Sequence, residues 1–249
     1  MLAVSFLNKR ITVLCLQIGC FTLCFVFCAM FMFHTSTMNS VPQDAMSVNI
    51  DSTKTKVIID AGHGGEDSGA VGIDGILEKD LNLAVSSILS ELMSCSGIEV
   101  YQTRTEDVML GGGEAGHKKQ EDLRARVDIG KEYPDAYYIS IHMNKFPKQY
   151  CKGIQLFYSP NNNQSLSLAG SLHQMVLNYL QPDNNREIKN GSEHIYLMNR
   201  LQNPAILVEC GFVSNSEEAE LLQKTDYQKK LALIIMASVF DCEYKNQTT

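Results

Sequence analysis

Residues 57–70 read VIIDAGHGGEDSGA. Three β-branched residues, Val57, Ile58 and Ile59, lead through Asp60 into a cluster of glycines. A short apolar run bounded by glycine describes a buried strand that feeds a loop. A single imidazole, His63, stands between Gly62 and Gly64 where that strand stops. The pattern recurs twice. Ala136–Ile141 (AYYISI) is a second buried strand and meets His142, and Ala205–Val208 (AILV) is a third and meets Glu209.

Helical patterns lie between these strands. Asp80 is placed to cap a helix whose apolar positions, Leu81, Ala84, Val85, Ile88, Leu89 and Leu92, follow a 3.6-residue period, and Gly97 ends it. Ile98–Thr103 alternates as a strand, and Gly111, Gly112, Gly113 and Gly116 mark a loop. A helix over Gln120–Lys131 stops before Pro134. Ile154–Tyr158 reads as a strand, Ser165–Leu180 as an amphipathic helix and His194–Met198 as a further strand. Ser216–Leu222 and Tyr227–Phe240 close the chain as helices. Strands alternating with helices predict an α/β fold, a single domain with a twisted, mostly parallel or mixed sheet flanked by helices. Ligands of such sheets gather at the carboxyl ends of the strands, where His63, His142 and Glu209 fall.

The N-terminus has a different character. Lys9 and Arg10 precede Ile11–Phe33, 23 residues without a charge. That is long enough to cross a bilayer as a helix, with the flanking cations on the cytoplasmic side. A cleaved signal peptide is the rival reading. The expected organisation is a membrane anchor or signal over 1–33, a polar linker over 34–55 and a catalytic domain over 56–245, exported to the outer face of the membrane. Without Lys9 and Arg10 the balance is 19 basic against 28 acidic side chains, a net −9. Such a surface does not attract nucleic acid. Four of the eight cysteines lie in the apolar segment; Cys95, Cys151, Cys210 and Cys242 are scattered without CxxC spacing and read as small hydrophobes.

Two imidazoles and a carboxylate are a known catalytic zinc set that leaves a position open for water. A further carboxylate beside them serves as general base. The strand ends supply His63, His142 and Glu209, and Glu78, in GILEKDLNLA, supplies a second carboxylate at the start of a helix. No HExxH helix is present, so these groups have to converge from distant sequence.

Five segments come in a fixed order: IIDAGHGGEDSGAVG, LEKDLNLAV, VYQTRTEDVML, YYISIHMN and PAILVECGFVSN. They resemble the zinc-dependent N-acetylmuramoyl-L-alanine amidases, bacterial cell-wall hydrolases, over roughly residues 56–240. The resemblance implies one zinc ion (Zn2+) held by His63, Glu78 and His142, with Glu209 as the catalytic carboxylate. The bond cut would join the lactyl group of N-acetylmuramic acid to the L-alanine of the peptidoglycan stem peptide. The segment GGGEAGHKKQEDLRARVDIG, together with no stretch that reads as a separate wall-binding module, resembles the spore-cortex amidases of endospore formers. Those enzymes act on the cortex ahead of muramic-δ-lactam formation. A vegetative autolysin, a stem-peptide carboxypeptidase and a wall-binding scaffold active only with a protein partner are the alternatives. Softer candidates for substrate or supporting contacts are Asp60, through the second nitrogen of His63, Asn144 by strand parity, and Arg124 and Arg126 as holders of a strand-end or substrate carboxylate. Asn215 is expected to shape the loop beyond Glu209. His117, His173 and His194 match no ligand motif.

Overall fold

The computed structural model describes residues 55–111 and 117–248. Six strands form one sheet in the order β2-β1-β3-β6-β4-β5. They are β1 (Lys56–Ala61), β2 (Glu99–Gln102), β3 (Tyr137–Asn144), β4 (Gln155–Tyr158), β5 (Lys189–Asn190) and β6 (Ala205–Phe212). β1 pairs in parallel with β2 and β3, and β3 pairs in parallel with β6. β4 runs antiparallel to β6 and parallel to β5. The sheet is therefore mixed, with a parallel block of four strands, as the alternation of elements predicted.

Helices cover both faces. α1 (Glu78–Cys95), α3 (Asn163–Tyr179) and α6 (Thr225–Thr248) bury their apolar stripes against Val57, Ile59, Ile139, Ile141, Ile206 and Val208. α2 (Lys118–Glu132) and the short α4 (Tyr196–Arg200) cover the other face, around Ile58, Tyr138 and Leu207. α5 (Ser216–Leu222) follows β6 directly. Successive side chains of a strand point to opposite faces, so one continuous apolar run fills both cores. Ile58, Ile59, Ile139 and Ile141 are fully buried, and truncating any of them to alanine costs about 2–5 kcal/mol.

Three expectations change, and one strand was not anticipated. The sequence places a strand at His194–Met198, but the chain turns there and forms α4. Leu197, Met198 and Leu201 enter the core from a helical turn, and a run this short gives strand and helix the same apolar signature. α1 starts at Glu78, and Asp80 lies inside its first turn rather than capping it. The loop does the capping: Ala70 and Ser68 carbonyls accept from the Glu78 and Lys79 N–H groups at 3.0 and 3.2 Å. β3 and β6 run on past His142 and Glu209, to Asn144 and Phe212. β5, two exposed polar residues, had no apolar signal to reveal it. The predicted anchor or signal at 1–33, nearly all of the linker and most of the glycine loop near 112–116 lie outside the described residues. Among the described residues no helix is long and apolar enough to cross a membrane.

Candidate active site

The sheet register creates the site. His142 pairs with Glu209 across β3 and β6, and Glu209 pairs with Gln155 across β6 and β4. Paired residues point to the same face, so the three side chains form a row. Ala61 pairs with Ile141, which sets Gly62 at the next position beside His142. A methyl group on Gly62 would lie inside the His142 ring. Glycine is required at 62 because the imidazole occupies the space of its side chain.

His63 follows in the left-handed region, at φ 61°. This uncommon backbone is held from below by two buried arginines. Arg104 donates to the Ala61 and Gly62 carbonyls at 2.8 and 3.0 Å, and Arg126 donates to the Ala61 and His63 carbonyls at 2.9 and 2.8 Å. Three successive carbonyls thus face guanidinium groups instead of the cleft. Arg126 is itself anchored by Asp60 and by Asp122, the latter at 2.7 Å.

Glu78 arrives from the opposite side, at the first turn of α1. Its Oε2 accepts from the Ala70 N–H at 2.7 Å, and its Oε1 accepts from the Met143 N–H at 3.1 Å. Gly69, at φ 64°, lets the loop pass so close that an added methyl would sit 2.6 Å from Glu78 Oε2. His142 Nδ1 lies 2.9 Å and His63 Nε2 lies 3.3 Å from Glu78 Oε1. The rings of His63 and His142 meet edge to face at 4.9 Å. One donor atom from each of His63, Glu78 and His142 lies within 4.8 Å of the other two.

Two features of this cluster fit a divalent cation. Zinc bonds of about 2.0–2.1 Å in a tetrahedron separate neighbouring donors by about 3.3 Å, close to the spacings seen. Second, His63 Nδ1 lies 2.9 Å from Asp67 Oδ2. An acceptor there places the ring proton on Nδ1, which leaves the Nε2 lone pair facing a carboxylate oxygen. Two acceptors at 3.3 Å need a cation, proton or metal, between them. Both imidazoles act on Glu78. Burial alone would raise its carboxyl, but the bonds from His142 and His63 outweigh burial and hold it far below the usual carboxylate range. For His63, burial disfavours the charged ring, and Glu78 and Asp67 reverse that and raise it.

Glu209 has the opposite environment. Burial pushes its carboxyl up to about 7. Its Oε2 is buried with no hydrogen-bond partner among the described residues. A carboxylate in this state gains from taking up a proton, which suits a general base next to a cation site.

The residues 57–241 match the family described as N-acetylmuramoyl-L-alanine amidase. The chain belongs to that family. It is a peptidoglycan amidase by class. The germination-specific N-acetylmuramoyl-L-alanine amidase of Bacillus subtilis (strain 168) is 36% identical over 192 residues, which is 74% of this chain and 77% of that protein. Among solved structures, the CwlD amidase from Clostridioides difficile, in complex with the GerS lipoprotein, is 35% identical with a TM-score of 0.72. That match covers 76% of this chain and 98% of CwlD. The catalytic domain of CwlV from Bacillus (Paenibacillus) polymyxa is 29% identical with a TM-score of 0.64, over 75% of this amidase and 97% of that chain.

The softer candidates divide. Arg126 is buried and holds Asp60, a strand-end carboxylate, whereas Arg124, two residues along the same helix, is exposed. Asp60 does not reach His63. It sits one layer lower, where Thr103 and Ser140 hydroxyls donate to it at 2.8 and 2.6 Å, and Asp67 takes the His63 contact instead. Asn144 ends β3 beyond a register shift after His142, so simple alternation does not decide which face it presents. Asn215 caps α5 and donates to the Gln149 carbonyl at 2.8 Å, shaping the loop as expected. His173 contacts the Arg186 carbonyl at 3.0 Å, while His117 and His194 are exposed.

Sequence reasoning missed three residues. Arg104 lay inside a recognised motif and was given no role. Asp67, four residues after His63, stands beside Glu66 in the glycine-rich loop and carries no signal of its own. Asn82 is fully buried one turn beyond Glu78, where it donates to the Gly62 carbonyl at 3.0 Å. A polar residue on the apolar stripe of α1 was the available signal.

Proposed function

We propose that this amidase hydrolyses the bond between N-acetylmuramic acid and L-alanine with one zinc ion held by His63 Nε2, Glu78 Oε1 and His142 Nδ1. The convergence of these three atoms beside a proton-seeking Glu209 carries the reading. When bound, zinc supplies a Lewis acid that polarises the amide carbonyl and acidifies water. Glu209 accepts the proton of the attacking water and delivers it to the departing L-alanine nitrogen. Asp67 fixes the His63 ring so that Nε2 faces the cleft, and Arg104 and Arg126 fix the loop that carries it.

The substrate is proposed to be spore-cortex peptidoglycan, in a step that precedes muramic-δ-lactam formation. The 36% identity to a germination-specific amidase supports this over a vegetative role. The domain is proposed to work outside the membrane, attached or exported through residues 1–33. The complex of CwlD with a lipoprotein supports a protein partner for this chain as well.

Mass analysis of digested cortex peptidoglycan tests the reaction. Zinc-loaded protein should release peptides with a free N-terminal L-alanine; loss of a C-terminal residue would instead identify a carboxypeptidase. The metal assignment has its own test in Gly62→Ala. The added methyl displaces the His142 ring, so zinc affinity should fall at least ~10-fold, read by metal titration. Unchanged zinc affinity would remove His142 from the ligand set.

A further inference from the structure

We infer that Asn82 is a positioning residue for the metal site. Its amide holds the Glu78 carboxylate and the Gly62 carbonyl, just before His63, in one arrangement, at a cost in stability. The inference rests on the zinc reading above and extends it to a residue outside the proposed ligand set.

Asn82 stands on the buried stripe of α1 with Leu81, Val85, Leu89 and Met93. It is 0% exposed. Its Nδ2 donates to the Gly62 carbonyl at 3.0 Å and lies 3.4 Å from Glu78 Oε1. Those neighbours decide which way the amide faces. Turned over, it would set its oxygen against a carbonyl and a carboxylate, both acceptors.

The two contacts join the segments that carry two of the ligands. Gly62 leads from β1 into His63, and Glu78 opens α1. Arg104 Nη2 donates to the same Gly62 carbonyl at 3.0 Å, and the Gly62 N–H donates to the Ile141 carbonyl at 3.1 Å. Gly62 is therefore held from three sides, and Asn82 is the holder that also reaches the ligand carboxylate. The Ala70 and Met143 N–H groups tie Glu78 to its loop and to β3. Asn82 adds the tie to the end of β1. Donors placed before the ion arrives bind it more tightly, because the ion then has less to order.

The other half of the amide gains nothing. Asn82 Oδ1 is buried with no hydrogen-bond partner among the described residues. An unpaired buried oxygen loses its hydration without replacement. Leucine has the same branched skeleton of heavy atoms and no polar atom, so it would suit the stripe better. Packing does not account for an amide at position 82; the contacts of Nδ2 do. Ser86, one turn further along the stripe, is 1% exposed, and its Oγ also has no partner among the described residues. It makes no hydrogen bond to Glu78 or Gly62, so it serves as the control.

The test compares the full-length chain with Asn82→Leu and Ser86→Ala. Each is stripped of metal with a chelator and titrated with zinc against a competing indicator. Asn82→Leu should bind zinc at least ~10-fold more weakly, the scale set by lost contacts around a metal ligand. Its metal-free melting temperature should stay equal or rise. Ser86→Ala should keep full zinc affinity. A residue that merely fastens α1 gives the reverse, a lower metal-free melting temperature with unchanged zinc affinity, and that result overturns the inference. An equal loss of zinc in Ser86→Ala also overturns it, since any change on the stripe would then disturb the site. Should leucine prevent folding, Asn82→Ala decides. It also lacks Nδ2 and should show the same zinc loss, whatever its melting temperature; full affinity there overturns the inference. An unaltered chain that takes up no zinc removes the metal reading and this inference together. Zinc uptake that is equal with and without the Asn82 amide removes the inference alone.

Discussion

Glu209→Gln should reduce turnover of peptidoglycan by about 10²- to 10⁴-fold, the range lost when a positioned general base is removed. Zinc content should stay at one ion per chain, because Glu209 lies outside the three-residue cluster. The fold should also hold. Glutamine keeps the shape of the side chain, and Glu209 Oε2 has no partner to lose. Parallel measurement of released N-terminal alanine and of bound metal checks both halves. A variant that loses activity and zinc together would make Glu209 a ligand instead of a base. A variant that keeps both would move the base elsewhere.

Arg126→Leu should produce the largest loss of stability. Arg126 and Asp60 are 2% and 0% exposed. Removing the guanidinium leaves a buried carboxylate uncompensated, and such a break costs about 3–5 kcal/mol. For a domain of this size the melting temperature should fall by about 10 °C. Pairing the change with Asp60→Asn should recover part of the loss, since the orphaned charge is then gone. The same pair gives a signature in acid. Burial favours the neutral form of Asp60, but Arg126 and the Ser140 hydroxyl outweigh it, so its carboxyl is lowered from 3.8. A lowered carboxylate contributes stability that is complete above the unfolded-state value and is lost as pH falls through the folded-state value. Unfolding free energies measured from pH 7 down toward pH 2 should therefore draw together between the unaltered protein and Arg126→Leu as pH falls past 3.8 toward the lower folded-state value. A constant gap across that range would mean that packing, not charge, carries the effect.

The elements around the site were legible because they are long or strongly patterned. β1, β3 and β6 show as apolar runs ended by functional residues, and α1 and α3 show their period over four or more turns. What failed was short. The five-residue α4 and the two-residue β5 have too few positions for a period to declare itself. The limits of β3 and β6 also moved, because a polar residue inside a strand looks like its end when only sequence is read. His142 and Glu209 are tolerated within those central strands because, near the carboxyl ends, they face Glu78 and each other instead of the apolar core.

The sequence by itself determined which side chains are available: two imidazoles, two carboxylates and the glycines beside them, spread over 147 positions from His63 to Glu209. It also determined that His63, His142 and Glu209 each follow the apolar run of a strand, since that pattern is local. Only the tertiary structure decided which acid serves which histidine. Asp60 is three residues from His63 and supports Arg126, while Asp67 turns back through the glycine loop to hold the ring. Register and loop closure are long-range properties, fixed when the whole sheet assembles and not by any segment before it meets its neighbours.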